Sequence, residues 1–227
     1  MRAQLGRTAV EPLLLLLEST DSETRMKALQ FLLYYAVDNP QSVDTSRIHS
    51  RMREEQISVI LSAWISYLES SLLRNWHLLA DLLTERQLGS AVAGIPGSLR
   101  KLENNPAVIQ KLVEVLPNIP DRATRLESVR ALSGRHPQAS EALSTAMISD
   151  EDLSVRLAAV FALSDKATPD FFDLFARGLE TDPVAQVRAA CATAMVTLDS
   201  GKAQRAFQAL RAKQDPAIDA AIEGAER

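Results

Sequence analysis

Two stretches, DLSVRLAAVFAL at residues 152–163 and DPVAQVRAACATAM at 182–195, decide the fold of this 227-residue chain. Aligned on Arg156 and Arg188, 32 positions apart, Val155, Ala159, Ala162 and Leu163 fall on Val187, Cys191, Ala194 and Met195, and each stretch opens on an aspartate, Asp152 or Asp182. Arg125 lies 31 positions before Arg156 with the same neighbours, Asp121, Ser128, Ala131 and Leu132. A fourth copy surrounds Arg25, with Asp21, Ala28, Phe31 and Leu32. A period in this range that recurs along a chain marks a stacked helical array, because each unit buries its apolar face only against the next one.

The residues ahead of each arginine complete the unit. Nine positions before stand Leu16, Leu116, Met147 and Leu179, and thirteen before stand Pro12, Leu112, Leu143 and Phe175. Apolar residues four apart share one helix face, so each copy reads as helix, short turn, helix. Asp21, Asp121 and Asp152, each four residues before its arginine, are placed to cap the second helix and also to pair with that arginine at i, i+4. In the last copy, Asp182 followed by Pro183 reads as an N-cap with proline at the first helical position.

An aspartate-marked turn running into Val-Arg or Thr-Arg and then alanines at three-to-four spacing resembles the HEAT repeat, in particular the short HEAT-like repeats of bilin lyases and many bacterial proteins. The resemblance covers residues 103–199 and 3–38, and it implies an all-α superhelix of the HEAT/ARM-like kind, a solenoid of antiparallel helix pairs with about six repeats. The tetratricopeptide and ankyrin patterns, which have similar periods, are absent. The whole of 1–227 is expected to be one solenoid, with a first repeat at 1–38, regular repeats at 103–199 and a C-terminal cap at 200–227. In that cap, Asp215-Pro216 repeats the Asp182-Pro183 start, but alanine replaces the arginine. Residues 39–102 read as degenerate repeats. There Ile57, Ile60, Leu61, Trp64, Tyr67 and Leu68 suggest one long helix, and Leu72, Trp76, Leu79, Ala80 and Leu83 a second. The helix breakers Gly89, Gly94, Pro96 and Gly97 predict an irregular loop near 89–102.

Equivalent positions in stacked repeats meet equivalent surroundings, so the copies sort core from surface by themselves. One after the arginine stand Met26, Leu126, Leu157 and Ala189, and four after stand Leu29, Val129, Val160 and Ala192, two columns assigned to the core. The column three after, Ala28, Ser128, Ala159 and Cys191, is always small and predicts close helix approach, which makes Cys191 a buried structural thiol. The column five after, Gln30, Arg130, Phe161 and Thr193, predicts a solvent-facing stripe and is the candidate partner-binding surface. Phe161 is its misfit. An aromatic there either tucks between neighbouring repeats, the commoner outcome, or stands exposed as an interface anchor. The arginine column, Arg25, Arg125, Arg156 and Arg188, with Asp21, Asp121, Asp152 and Asp182, reads as a structural ladder that fixes the stacking register rather than as an anion-binding site. Core packing is likewise expected of Trp64 and Trp76.

Composition and charge narrow the function classes. A core rich in Leu and Ala favours helix on helix, since both lose little entropy in a helix. With 25 Lys and Arg against 29 Asp and Glu, the net charge is −4, which argues against a nucleic-acid partner. The basic group Arg47, Arg51 and Arg53 runs straight into Glu54 and Glu55, the pattern of a solvated helix face. The run Leu13–Leu17 is too short for a signal peptide or a membrane span. One cysteine suits a reducing compartment, and a cytoplasmic location is expected. His49, His77 and His136 lie far apart, and none is followed by Glu as in the iron-binding deoxyhypusine hydroxylases; no metal, cofactor or catalytic residue is expected. The expected function is therefore a non-catalytic scaffold that binds a protein partner through its helical groove. The resemblance to bilin lyases implies the alternative, a lyase-like or chaperone-like enzyme acting on a protein substrate.

Overall fold

The structure is a computed structural model and describes residues 10–38, 48, 65, 68–69, 72–132, 138–165 and 168–226. Trp64, His49, His136, the Arg47–Glu55 group and most of the first long helix expected in 39–102 lie outside the described residues.

Every regular element among the described residues is a helix. Helices α1 (Val10–Leu16) and α2 (Ser22–Asp38) pack as the first pair. After the partly described stretch come α3 (Leu72–Leu82), the second helix expected there, and the short α4 (Ile95–Arg100). Four further pairs follow: α5 (Pro106–Val115) with α6 (Arg122–Ala131), α7 (Ala139–Ser149) with α8 (Leu153–Ser164), α9 (Phe172–Thr181) with α10 (Ala185–Leu198), and α11 (Ser200–Arg211) with α12 (Pro216–Glu226). The first helices α3, α5, α7 and α9 pack in series as one layer, and the second helices α4, α6, α8, α10 and α12 form the other. This is the α-α solenoid that the repeat predicts, and each helix buries its apolar stripe against its pair and against the next unit.

The aspartates four before the arginines cap as expected. Asp121 accepts the Thr124 N–H at 2.8 Å, Asp152 accepts Ser154 at 2.8 Å, and Asp21 accepts Thr24 at 2.8 Å. Each satisfies an orphan donor at a helix start, a contribution of about 1 kcal/mol. α10 differs, because its N-cap position is Val184 and Pro183 lies ahead of the helix. Proline at the first helical position is thus corrected for this copy: Asp182 stands six before Arg188, so its true equivalent in the preceding unit is Asp150.

The columns hold in their centre and shift at their edges. Leu29, Val129, Val160 and Ala192 are fully buried, as are Ala28, Ser128, Ala159 and Cys191. Met26, Leu126, Leu157 and Ala189, assigned to the core, are only half-buried. In the first helices Leu112, Leu116, Leu143, Met147, Phe175 and Leu179 are buried, whereas Leu16 and Pro12 are exposed. The buried face of α1 is Val10, Leu14 and Leu17 instead. In this copy the inward face is offset by one or two positions from that of the later copies.

The breaker-rich stretch is more ordered than a loop. A 3-10 segment, Arg86–Val92, turns at Gly89 with φ of 50°, a left-handed conformation that glycine adopts without steric cost, and α4 follows at once. Pro96 sits in the first turn of α4, where its missing N–H breaks no helical bond, and Val92, Ile95 and Leu99 are buried.

Candidate functional site

Two constellations grow out of the repeat: a ladder of arginines and aspartates along the turns, and the outer face of the second helices.

In the ladder, each arginine reaches in two directions. Arg156 Nη1 donates back to the carbonyl oxygen of Asp150 at 2.9 Å, sealing the turn of its own unit. Its Nε and Nη2 donate forward to both carboxylate oxygens of Asp182 in the next unit, at 2.8 and 3.2 Å. Arg125 repeats the arrangement, with Nη1 on the Ile119 and Pro120 carbonyls and a forward fork on Asp150 at 2.9 and 3.3 Å, supplemented by Glu151 at 3.0 Å. Asp150 and Asp182 therefore each receive one arginine on the side chain and the next on the backbone oxygen. Arg125, Arg156 and Asp182 are buried, and the planar guanidinium fork matches the carboxylate in two parallel bonds. Burial works against the charge of Arg125, but the hydrogen bonds it donates to Asp150, with the Asp150 and Glu151 charges, outweigh that and hold this guanidinium protonated more firmly than usual.

The rung partners thus differ from those expected. Asp121 and Asp152 cap helices and do not pair with Arg125 or Arg156; Asp152 pairs with Arg122 of the preceding unit at 3.3 Å. Pairing at i, i+4 fails because a capping aspartate turns its carboxylate onto the first helical N–H groups, while the arginine four on points toward the next repeat. Arg25 makes the backward bond, Nη1 to the Ser19 oxygen at 2.7 Å. Arg188 does so too, to Asp182 at 2.7 Å, but its Nε is buried with no hydrogen-bond partner. The column six before the arginine, Ser19, Ile119, Asp150 and Asp182, carries an acid only in its last two copies, which is the signal in the sequence that marks the rung partners.

Gln30, Arg130, Phe161 and Thr193 are all exposed, as predicted. Phe161 is 58% exposed, so it does not tuck between repeats. It lies on the wall of a groove of about 520 Å³ between α8 and α10, flanked by Leu157 and Ser164 from its own helix. The facing wall is the α10 surface, Gln186, Ala189, Ala190, Thr193, Ala194 and Thr197. The structure brings Phe161 and Thr193 into one groove; Arg130 stands one helix away, on α6, bonded to Glu127 at 2.6 Å, and Gln30 is on α2. Leu157 and Ala189 were assigned to the core and are instead half-buried groove walls, since the column one after the arginine faces obliquely outward.

Cys191 lies at the centre of a close helix approach. A Cβ on Gly178 of α9 would come within 2.7 Å of its Sγ and 3.0 Å of the Met147 terminal carbon. Burial, with a smaller effect from the Asp182 charge, pushes the thiol up to about 12, so it stays protonated and inert at neutral pH. Trp76 is half-buried and meets the exposed His77 edge-on, with ring centroids 5.9 Å apart. Among the described residues no group of three or more His, Cys, Asp or Glu is arranged to hold a metal, and no helix is long and apolar enough to cross a membrane.

Comparison with known proteins bears on the fold. No curated protein matches the chain. A crystal structure described as an engineered protein from the Northeast Structural Genomics Consortium is similar at 18% identity with a TM-score of 0.43, over 95% of this chain and 94% of that one. Residues 109–196, the segment that holds both closed rungs and the Phe161 groove, match the family described as HEAT repeats. Over that segment the chain is similar to HEAT repeats, and further helix pairs lie on either side of it.

Proposed function

We propose that this chain is a non-catalytic scaffold that binds a protein partner across the outer face of its second helices, centred on Phe161. The observation that carries this is the exposure of Phe161 on a platform whose own core is closed. An aromatic ring left in water costs solvation free energy that a partner recovers, and aromatics on rigid surfaces are the usual anchors of interfaces. The ring projects from α8 between residues that are fully buried, Val160 and Ala162, so its position is held by the fold and little order is lost when a partner meets it. A cytoplasmic location accords with a single cysteine kept as a buried free thiol.

Affinity purification from the native cell with the wild-type chain and with Phe161→Asp and Arg130→Glu tests this. The wild type is expected to retain a partner that Phe161→Asp loses and Arg130→Glu weakens, with both variants unfolding at the wild-type temperature. Capture that survives Phe161→Asp unchanged refutes the proposal.

A further inference from the structure

From the groove between α8 and α10 we infer the form of the partner: an amphipathic α-helix that lays an uncharged, apolar ridge against Phe161. This rests on the docking role proposed above and extends it to the chemistry of the occupant.

None of the residues lining the groove is ionisable, in a chain of which 24% is charged. A charged side chain or a phosphate seated there would lose its water and gain no counter-charge, so the contacting face of the occupant is neutral. The hydroxyls of the groove narrow the choice further. Ser164 donates to the Phe161 carbonyl at 2.9 Å, Thr193 to Ala189 at 3.0 Å, and Thr197 to Thr193 at 2.9 Å. Each has committed its proton to its own helix and has none to offer a ligand carbonyl. Among the side chains of the groove, only Gln186 carries N–H donors for a ligand carbonyl.

An extended peptide brings a carbonyl at every residue and finds almost nothing there to satisfy them. A helix arrives with its backbone already paired and presents only side chains. The small residues Ala189, Ala190 and Ala194 on one wall leave room for such a ridge, and Phe161 and Leu157 on the other supply the apolar contact.

The test uses the full chain and two display libraries of equal length, one of Ala- and Glu-based helical peptides randomised along one face, the other of proline-interrupted extended peptides. Binders are counter-selected against Phe161→Asp and checked against Thr193→Glu, two exposed substitutions that leave the fold intact. The helical library is expected to enrich, with apolar residues at i, i+3 or i+4, and i+7, and the binders to lose tenfold or more in affinity for either variant. Enrichment of extended peptides that depend on Phe161 leaves the docking surface standing and overturns the helix. Binders indifferent to Phe161→Asp, or none from either library, overturn both. Concentration-dependent dimerisation that Phe161→Asp abolishes makes the occupant a second copy and likewise overturns the inference.

Discussion

The turn that carries Asp182 and the turn that carries Asp215 begin with the same two residues, yet only one closes a rung. Asp182 stands three residues before the start of α10, so its carboxylate accepts the Val184 N–H at 2.8 Å and still faces the Arg156 fork. Asp215 stands directly before α12, accepts the Ala217 N–H at 2.8 Å as a cap, and gives its backbone oxygen to the helix at Asp219. With helix α12 starting two residues earlier relative to its aspartate, the last arginine, Arg188, keeps its backward bond but has a buried Nε with no partner. Asp219 on α12, which packs directly on α10, likewise has a buried carboxylate oxygen without a partner. The rungs of this solenoid thus depend on where a helix begins relative to its aspartate, and the C-terminal unit is joined without one, by apolar packing and the surface ion pairs Lys202–Asp173 and Lys213–Glu180.

The largest expected effect of breaking this contrast is at Asp182. Asp182→Ala strands the buried Arg156 guanidinium and should cost about 3–5 kcal/mol in urea unfolding, whereas Asp215→Ala removes only a cap and should cost about 1 kcal/mol. Equal losses at the two sites would abolish the distinction. Gly178→Ala, within the closed-rung unit, should cost about 1–3 kcal/mol by driving a methyl into Cys191 Sγ, and Cys191→Ala in the same chain should recover part of that loss.

Acid sharpens the comparison on the capping side. Although partial burial pulls the other way, the Ser154 N–H and then Arg122 hold the Asp152 carboxyl below its ordinary value. A folded pKa lowered in this way supplies stability that is present above about pH 4, the unfolded value, and is lost as pH falls through the lowered one. Melting temperature measured from pH 6 to 2 should therefore fall less steeply for Asp152→Asn than for the wild type. The smallest effect is expected at Arg188: Arg188→Met removes a buried unpaired Nε together with a single bond to the Asp182 carbonyl and keeps the stem, so the loss should be about 1 kcal/mol or less, against about 3–5 kcal/mol for Arg156→Met, which takes the counter-charge from Asp182. Comparable losses for the two would mean that Arg188 also has a forward partner in solution.

Much of the fold was legible because a stacked repeat writes its environment several times over. Small residues at Ala28, Ser128, Ala159 and Cys191 announced close packing, and the mixed column through Gln30, Arg130, Phe161 and Thr193 announced exposure. The rung partners were not legible. Asp121, Asp152 and Asp182 look alike near their arginines, and whether such a carboxylate caps its own helix or clasps the neighbouring unit depends on a two-residue difference in where the helix starts. The groove was half visible for a related reason: Phe161 stood out as an aromatic among polar residues, but Leu157 and Ala189 are ordinary apolar residues whose exposure is set by the spacing of α8 from α10.

Periodicity alone therefore determined that the regular repeats are a stack of helix pairs and which columns lie at the centre of the core, since apolar burial is non-directional and needs only the right spacing along the chain. Only the tertiary structure decided which aspartate each arginine meets and which side chains share a groove. Hydrogen bonds and surface contacts are directional and short, and a shift of a few ångströms at a helix start, which no hydrophobic pattern records, makes or breaks them.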